Sequence, residues 1–277
     1  MAGDGTIDLR GYIESYPQLP WMKDEEYRRH RAEFLRHHRL AHHKAAESGF
    51  TDLPPPEAGV FERHRRPPSW IIKDTEVIGS PGTDRIVKAA NEASADKPLV
   101  IAVGGDLATV ADAYLTDPSI AKTSVVYVRI GDSLKDPKFN IYNSGWSACI
   151  VLKKMRTVLL LCTSGAARID RSRLRKLRDS PLAQYMLNKY FEKKSKKTLS
   201  GSRRWAGDAK ALLAAAHPET VQKVRNARIV GLESVPWYQG DYLVPQIRYS
   251  DRAESMKVVT KQTGQTAAWW KHMQHLK

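Results

Sequence analysis

Apolar and polar residues along positions 80–131 predict helices and strands in alternation. The stretch "SPGTDRIVKAANEAS" places Ile86, Val87 and Ala90 on one side of a helix that opens at Pro81. "PLVIAVGG" is a continuous apolar run ending in two glycines, which is typical of a strand buried on both faces of a parallel sheet. "DLATVADAYLTDPSIA" predicts the next helix, and "TSVVYVRIG" the next buried strand. This order predicts a right-handed βαβ unit, and so an α/β fold with an open, mainly parallel sheet flanked by helices.

The flanking segments follow other patterns. "TIDLRGYI", residues 6–13, predicts a short strand, and "DEEYRRHRAEFLRHHRLAHHKAAESGF" a long polar helix that ends at Gly49. "TDLPPPEAG" and "ERHRRPPSW" are proline-rich connections that are too poor in apolar residues to form core elements. Residues 227–264 alternate enough to suggest further strands.

Composition places the chain among ordinary globular proteins. It has 277 residues, 42% of them hydrophobic, and two cysteines. Cys149 and Cys162 both lie in apolar runs, so we expect buried free thiols and a reducing compartment. No apolar run reaches the ~18 residues of a membrane span, and the N-terminus has no signal pattern. These features predict a protein of the cytoplasm or an organellar matrix, without membrane contact.

The charge is less ordinary. Forty-five Lys and Arg against thirty Asp and Glu give a formal net charge of +15, which indicates anionic partners. The excess is concentrated in residues 28–44, 168–178 and 189–197 and in "WWKHMQHLK" at the C-terminal end, although each cluster alone fits a solvated helix face. His38 and His42 have an i, i+4 spacing that could bind a metal, but the surrounding basic residues favour a solvent-facing helix.

The ends of the predicted strands indicate where a ligand would bind. Ligands of open α/β sheets lie at the carboxyl ends of the strands. Gly104 to Asp106 end one strand, Gly131 to Ser133 end the next, and the following loop carries Asn140. The glycines let the backbone approach a ligand, but they serve equally well in tight turns. "VGGDLATVA" matches neither a dinucleotide fingerprint nor a P-loop.

Several of these stretches resemble the nucleoside hydrolase superfamily of the inosine/uridine-preferring type. "PLVIAVGGDLATVADAYLTDPSIAKTSVVYVRIG" is similar to the family's central segment, and "KFNIYNSGWSA" to its next motif, E-F-N-I-aromatic-x-D-P-x-A-A. "IDRSRLRKLRDSPLAQYMLNKYF" and "WAGDAKALLAAAHPETV" resemble the helical segment and the signature that follow. The similarities keep the family order from about residue 80 to 230. The resemblance implies one domain over 1–277 with a core of about 76–235, a basic, proline-rich N-terminal region at 20–70 and a C-terminal extension at 236–277.

Members of this family hydrolyse the N-glycosidic bond of nucleosides with a calcium ion that orients the ribose diol and a water. By this resemblance Asn140 stands at the ribose-contacting asparagine, Asp208 at a calcium-binding aspartate, and Gly104 at the residue whose carbonyl binds the ion. We expect a nucleoside or other ribosyl ligand to contact four residues: Asp106, Lys138, Asn140 and Asn143.

The sequence also departs from the family pattern. The N-terminal D-x-D-x-x-x-D-D cluster, which supplies most calcium ligands and the catalytic base, is not recognisable; Asp4 and Asp8 have the spacing of two members only. Lys138 replaces an acidic residue that contacts the sugar, and Gly207 replaces a frequent histidine. Ser144 and Trp146 replace an aspartate and a glutamate.

Two functions remain open. One is an N-ribosyl hydrolase with a rearranged site, in which Lys138 pairs with a phosphorylated substrate and calcium is the cofactor. The other is a nucleoside-hydrolase-like protein without hydrolytic activity that acts as a basic binding or structural subunit on RNA or in a ribonucleoprotein, as a homo-oligomer or an assembly subunit. The net charge favours the second, and Trp205, Trp269 and Trp270 could stack on bases.

Overall fold

A six-stranded sheet forms the centre of the fold. The computed structural model describes residues 6–16, 22–135, 140–161, 167–192, 203–205, 209–234 and 243–273. The strand order is β3-β4-β5-β10-β8-β9, with parallel pairing from β3 to β10 and antiparallel pairing from β10 to β9. The strands of this sheet are β3 (Leu99–Val103), β4 (Ser124–Arg129), β5 (Arg156–Leu160), β8 (Val221–Ser234), β9 (Leu243–Ser250) and β10 (Met256–Gln262). The open, mainly parallel sheet predicted from the sequence is therefore confirmed.

Helices flank this sheet, and four short strands form two separate pairs. The helices are α1 (Asp24–Glu47), α2 (Pro81–Asn91), α3 (Ala108–Thr116), α4 (Ile120–Thr123), α5 (Gly145–Lys154), α6 (Arg171–Lys176), α7 (Pro181–Leu187), α8 (Ala209–Ala216) and α9 (Gln265–Met273). The short strands are β1 (Tyr12–Glu14) with β2 (Pro56–Ala58), and β6 (Arg168–Asp170) with β7 (Arg203–Trp205). None of the helices in the described ranges is long and apolar enough to pass through a bilayer.

The helix boundaries follow local chemistry. Ser80 caps α2, because its Oγ accepts a hydrogen bond from the Thr83 amide at 3.0 Å, and Pro81 occupies the first turn as predicted. After α1 the chain turns at Gly49, whose φ of 91° suits glycine. Residues 106–121 were predicted as one helix, but they form α3 and α4. Pro118 lacks an amide hydrogen and Asp117 is extended, so the helix ends there.

Three sequence predictions about strands need correction. The run from Leu99 to Val103 is an edge strand, so Val100 is 43% exposed instead of buried on both faces. An apolar run does not distinguish an edge strand from an interior one. The first strand begins only at Tyr12, and the proline-rich connection contributes Pro56–Ala58 as its parallel partner. By contrast, β4 has the buried pattern that its sequence predicted.

The segment predicted as a C-terminal extension belongs to the sheet. It supplies β9 and β10, and β10 lies between β5 and β8 in the interior of the sheet. Val258 packs in the main core with α3 and α5, whereas Val259 packs with Leu160 under α8. Neighbouring residues of a strand point to opposite faces, so α3 and α5 cover one face and α8 the other.

Glycine is required at the start of α5. A Cβ at Gly145 would lie 2.1 Å from the main-chain oxygen of Leu243, so only glycine permits this approach of α5 to β9. The approach fixes the end of the loop that carries Asn140 and Asn143.

Candidate functional site at the carboxyl edge of the parallel strands

The predicted ligand residues in the described ranges lie where the parallel strands end. Asp106 follows β3, and Asn140 lies in the segment between β4 and α5. Asn143 and Ser144 immediately precede α5. Ser144 is near enough to Asp106 to affect the pKa of that carboxyl group, so the ends of β3 and β4 contribute to one polar cluster.

Asp106 is the most unusual of these residues electrostatically. Its side chain is buried, and Oδ1 accepts a hydrogen bond from the Ala108 amide at 2.8 Å, which fixes the turn into α3. Oδ2 is also buried and makes no hydrogen bond of ordinary geometry to a described residue, although the Ser144 hydroxyl is close enough to lower the pKa of the carboxyl group. Burial raises the pKa of Asp106 to about 7, although the Ala108 amide, Ser144 and Arg63 partly offset the rise. The carboxyl group is therefore about half protonated near neutral pH and can accept or donate a proton.

Of the polar side chains beside Asp106, one forms a structural hydrogen bond and two have oxygen atoms without a hydrogen-bond partner. Asn140 is buried, and its Nδ2 donates to the carbonyl oxygen of Arg129 at 2.8 Å, which ties the loop to the end of β4. Asn143 Oδ1 and Ser144 Oγ are buried without a hydrogen-bond partner in the part of the chain that the structure describes. Buried polar atoms are nearly always paired in proteins, so such a concentration requires an explanation.

The N-terminal region closes one side of this cluster. The Ser15 carbonyl lies 3.9 Å from the position a Cβ would take on Gly105. Burial, followed by the nearby Glu62 and Asp106 charges, raises the pKa of Tyr27, while Arg31 lowers it. Tyr27 Oη lies 3.1 Å from the carbonyl oxygens of both Tyr16 and Phe61. The residues after β1 and β2 are therefore part of the surroundings of Asp106.

A buried polar network lies behind the site and was not predicted from the sequence. His64 Nδ1 is 3.0 Å from Ser147 Oγ, and its Nε2 is 3.0 Å from Asp112 Oδ1. Asp112 also accepts hydrogen bonds from the Ile78 and Gly79 amides and from Thr83 Oγ1, at 2.7 to 2.9 Å. The His64 and Asp112 side chains are fully buried, so this Ser-His-Asp arrangement joins α3 and α5 to the preceding loops and is not open to a substrate.

Lys210 is a second buried charged residue that sequence reasoning missed. It is the second residue of α8, it is 0% exposed, and its Nζ donates to the Leu161 carbonyl just after β5. A buried ammonium group requires close polar partners, and strand-end carbonyls provide them. The edge formed by β3, β4 and β5 therefore contains both a buried carboxyl group and a buried amine.

The calcium site implied by the sequence resemblance stays a prediction. Gly104 lies at the end of β3 as expected, but Asp208 and Lys138 are outside the described residues. No group of three or more His, Cys, Asp or Glu residues able to hold a metal occurs among the residues the structure describes. Asp8 is exposed and paired with Arg10 at 2.7 Å.

The histidines of α1 contribute to packing instead of a shared metal site. His38 Nδ1 forms a hydrogen bond with Tyr12 Oη, and its ring packs on Phe34 with centroids 4.0 Å apart. His42 contacts the Pro54 carbonyl at 3.0 Å. Burial lowers the pKa of His38, which favours the neutral ring. The prediction of a solvent-facing helix is therefore wrong for His38, since α1 packs this ring against β1.

Other predicted residues have structural roles. Trp146 is buried and its Nε1 donates to Thr75 Oγ1 at 2.9 Å. Trp270 is 5% exposed in a second apolar cluster with α6 and α7, so the prediction that it stacks on bases is wrong. Cys149 is a buried free thiol, as predicted, and Cys162 lies outside the described residues.

Comparison with known proteins identifies the fold. No protein-family model matches the chain, and no curated protein matches it. Among solved structures it is similar to a plant nucleoside hydrolase, with a TM-score of 0.54 and 14% identity over 86% of this chain and 85% of that one. An inosine-guanosine nucleoside hydrolase gives a TM-score of 0.49 and 14% identity over 70% of this chain and 66% of that one, a similarity too low to support an argument. The chain therefore has the nucleoside-hydrolase-like α/β fold that its sequence motifs predicted.

Proposed function

We propose that the chain binds a ribosyl ligand, such as a nucleoside, at the carboxyl edge of β3 and β4 without hydrolysing it, and that it acts as a basic subunit in contact with RNA. The observation that supports ligand binding is the set of buried oxygen atoms without hydrogen-bond partners at that edge. These atoms are Asp106 Oδ2, Asn143 Oδ1 and Ser144 Oγ. Asn140 completes the described part of the proposed site, and Lys138, which the sequence analysis adds to it, lies outside the described residues.

The chemistry of ribose complements these atoms. Ribose hydroxyl groups are uncharged hydrogen-bond donors, whereas Asn143 Oδ1 and an ionised Asp106 Oδ2 are acceptors. Leaving a buried acceptor without a donor costs about 1–3 kcal/mol, so a ligand that supplies donors recovers part of this energy. The raised pKa of Asp106 also allows its protonated form to donate to a sugar oxygen.

Binding without hydrolysis is proposed because the described donors do not form a calcium site. The described part of the strand edge presents two aspartates, Asp106 after β3 and the exposed Asp132 after β4, and no group of three or more His, Cys, Asp or Glu residues among the described residues could hold a metal. A hard divalent cation binds more tightly as charged oxygen ligands are added.

Calorimetric titration with adenosine, inosine and uridine tests ligand binding. We expect Asp106→Asn to weaken the best ligand about tenfold, because one hydrogen bond to a charged group contributes about 1.5–3 kcal/mol. Asp117→Asn is the matched control, since Asp117 is a half-buried carboxylate that caps the other end of α3. Equal affinity of the two variants, or no binding of any nucleoside at millimolar concentration, would overturn the proposal.

N-glycosidic hydrolysis is the second candidate, and the pKa of about 7 at Asp106 favours it. A general base is most effective when its pKa is near the working pH. In this mechanism ionised Asp106 takes a proton from a water whose oxygen bonds to the anomeric carbon, the bond between that carbon and the base nitrogen breaks, and the nitrogen takes up a proton from solvent as the free base leaves. Chromatographic measurement of base release, with and without added calcium, should then show a rate that rises with pH up to about 7 and is lost in Asp106→Asn. No base release under either condition would rule this candidate out.

A further inference from the structure

The face of β8 and β9 that points away from the main core is an exposed basic surface. We call it the β8–β9 face and define it by Val224, Asn226, Arg228 and Arg248, with Lys257 of β10 beside them. Ala227 and Ile247 are buried in the main core, so the alternate residues Arg228 and Arg248 point to the other side. Helix α8 packs on that other side against β3 and β4, and its apolar cluster buries Leu160 of β5 and Val259 of β10.

Two arginines are opposed directly on this face. Arg228 and Arg248 are partners in the antiparallel register, and both are exposed. Residues directly opposite on one face have Cβ atoms about 4.5–5.5 Å apart, and like charges in that arrangement repel each other. Neither arginine forms an ion pair with a described carboxylate. An anion placed between the two guanidinium groups would reduce this repulsion, so the pair favours anion binding.

The neighbours of this pair add positive charge and apolar surface. Lys257 is the register partner of Asn226, and its Nζ donates to the Asn226 side-chain carbonyl. Val224 and Val230 are 50% and 42% exposed, which is unusual for large apolar side chains. Two acidic residues are held near this face. Gln246 donates to Glu233 at 3.0 Å toward the far end of β8, and Ser250, the register partner of Asn226, donates to Glu254 at 2.9 Å.

We propose that the β8–β9 face binds the sugar-phosphate backbone of single-stranded RNA. Paired guanidinium groups match phosphate geometry, and the valines provide apolar contact for sugars. Tyr249 pairs with Ala227 in the register, so its ring belongs to the core-side face and stacks with Arg225 at 3.8 Å. Because Tyr249 lies on the opposite face from Arg228 and Arg248, binding to the described part of this surface should depend on phosphates and show little base preference. This inference rests on the proposed RNA contact and assigns it a surface.

Fluorescence anisotropy with a labelled, unstructured 20-nucleotide RNA tests the surface in a potassium chloride series. Arg228→Gln with Arg248→Gln should weaken binding at least about tenfold at 100 mM salt. Losing two phosphate contacts should also reduce the slope of log affinity against log salt by about 1.4, since each phosphate contributes about 0.7 for a single strand. Arg28→Gln with Arg29→Gln removes the same charge from the exposed surface of α1 and should change affinity less than about twofold.

The outcomes are distinct. Equal weakening of RNA binding by the two double variants would show general charge attraction and would overturn the assignment to the β8–β9 face. Binding of poly-glutamate as tight as that of RNA would indicate an acidic polypeptide partner and would also overturn the assignment. No RNA binding by the unmodified chain would overturn the RNA role itself, whereas nucleoside titration reports separately on the strand-edge site. Thermal unfolding of both double variants should match the unmodified chain, because the replaced residues are exposed.

Discussion

Replacing Asp112 by asparagine should destabilise the fold more than any comparable exposed change. Asp112 is fully buried, and its oxygens accept four hydrogen bonds, from His64, Thr83 and the amides of Ile78 and Gly79. Asparagine has the same shape but keeps only one acceptor oxygen. In either orientation its amide group faces a backbone amide that can only donate, so at least one buried donor loses its acceptor.

The magnitude follows from these bonds. Hydrogen bonds to a charged group contribute about 1.5–3 kcal/mol each, and Asp112→Asn disrupts about two of the four, so we expect a loss of about 3–5 kcal/mol. For a domain of this size about 2 °C per kcal/mol applies, which corresponds to a fall in Tm of about 6–10 °C. Urea denaturation followed by tryptophan fluorescence measures the free energy, and calorimetry measures the Tm. Asp117→Asn changes the half-buried C-cap of the same helix, whose carboxylate accepts hydrogen bonds from Asn91 and the Ser119 amide, and it should cost about 1 kcal/mol.

The effect should also depend on pH in a defined direction. Burial alone raises the pKa of Asp112, but hydrogen bonds from His64, the Ile78 amide and Thr83 outweigh it and hold the pKa below its ordinary value. A depressed carboxyl pKa contributes stability above the ordinary aspartate pKa, and this contribution is lost as the pH falls. The difference between the unmodified chain and Asp112→Asn should therefore shrink from pH 7 toward pH 3. A loss below 1 kcal/mol, or a difference constant with pH, would refute the reasoning.

Three further predictions concern the site and its supports. Asp106→Asn should remove a pH dependence whose sign is opposite to that of Asp112. Burial raises the pKa of Asp106 to about 7, so the unfolding free energy of the unmodified chain relative to the variant should fall from pH 4 to pH 7. A difference that stays constant over this range in urea titrations would contradict this. Gly145→Ala should lower the unfolding free energy by at least about 2 kcal/mol, because the added Cβ would lie 2.1 Å from a carbonyl oxygen of β9. Gly105→Ala, whose added Cβ would lie 3.9 Å from its nearest atom, should cost less than about 1 kcal/mol. Similar losses for both variants would refute the steric argument. Trp146→Phe should lower the unfolding free energy by about 1–3 kcal/mol in the same assay, because it leaves Thr75 Oγ1 without its hydrogen-bond donor. A double-mutant cycle with Thr75→Val should show coupling between the two positions. Additive effects would show that the hydrogen bond contributes little.

The sequence predicted the βαβ order well because periodicity is a local property. Pro81 and the apolar stripe that follows it fix α2, and the run before Arg129 fixes β4. Position within the sheet is not local. The run from Leu99 to Val103 is apolar enough for an interior strand, yet it lies at the edge because no described strand pairs with its other side.

The positions of two proposed ligand residues were predictable, but their surroundings were not. Because ligands of open α/β sheets bind at strand ends, the sequence predicts Asp106 and Asn140 at this edge, and both lie there. Nothing in the sequence around His64 connects it with Asp112, 48 residues away, or with Ser147, 83 residues away. Networks of this kind depend on tertiary packing, and the raised pKa of Asp106 depends on burial that one sequence does not reveal.

The position of β10 has a consequence for how the chain reaches its folded state. Met256 of β10 pairs beside Thr157 of β5, nearly a hundred residues earlier in the chain, and the same strand holds the β8–β9 pair. While the chain is being synthesised, β3, β4 and β5 are complete long before residues 256–262 leave the ribosome, so the inner edge of β5 stays open. Such distant pairing slows folding and leaves strand edges exposed to other chains. Co-translational protection of that edge should therefore determine the yield of folded protein.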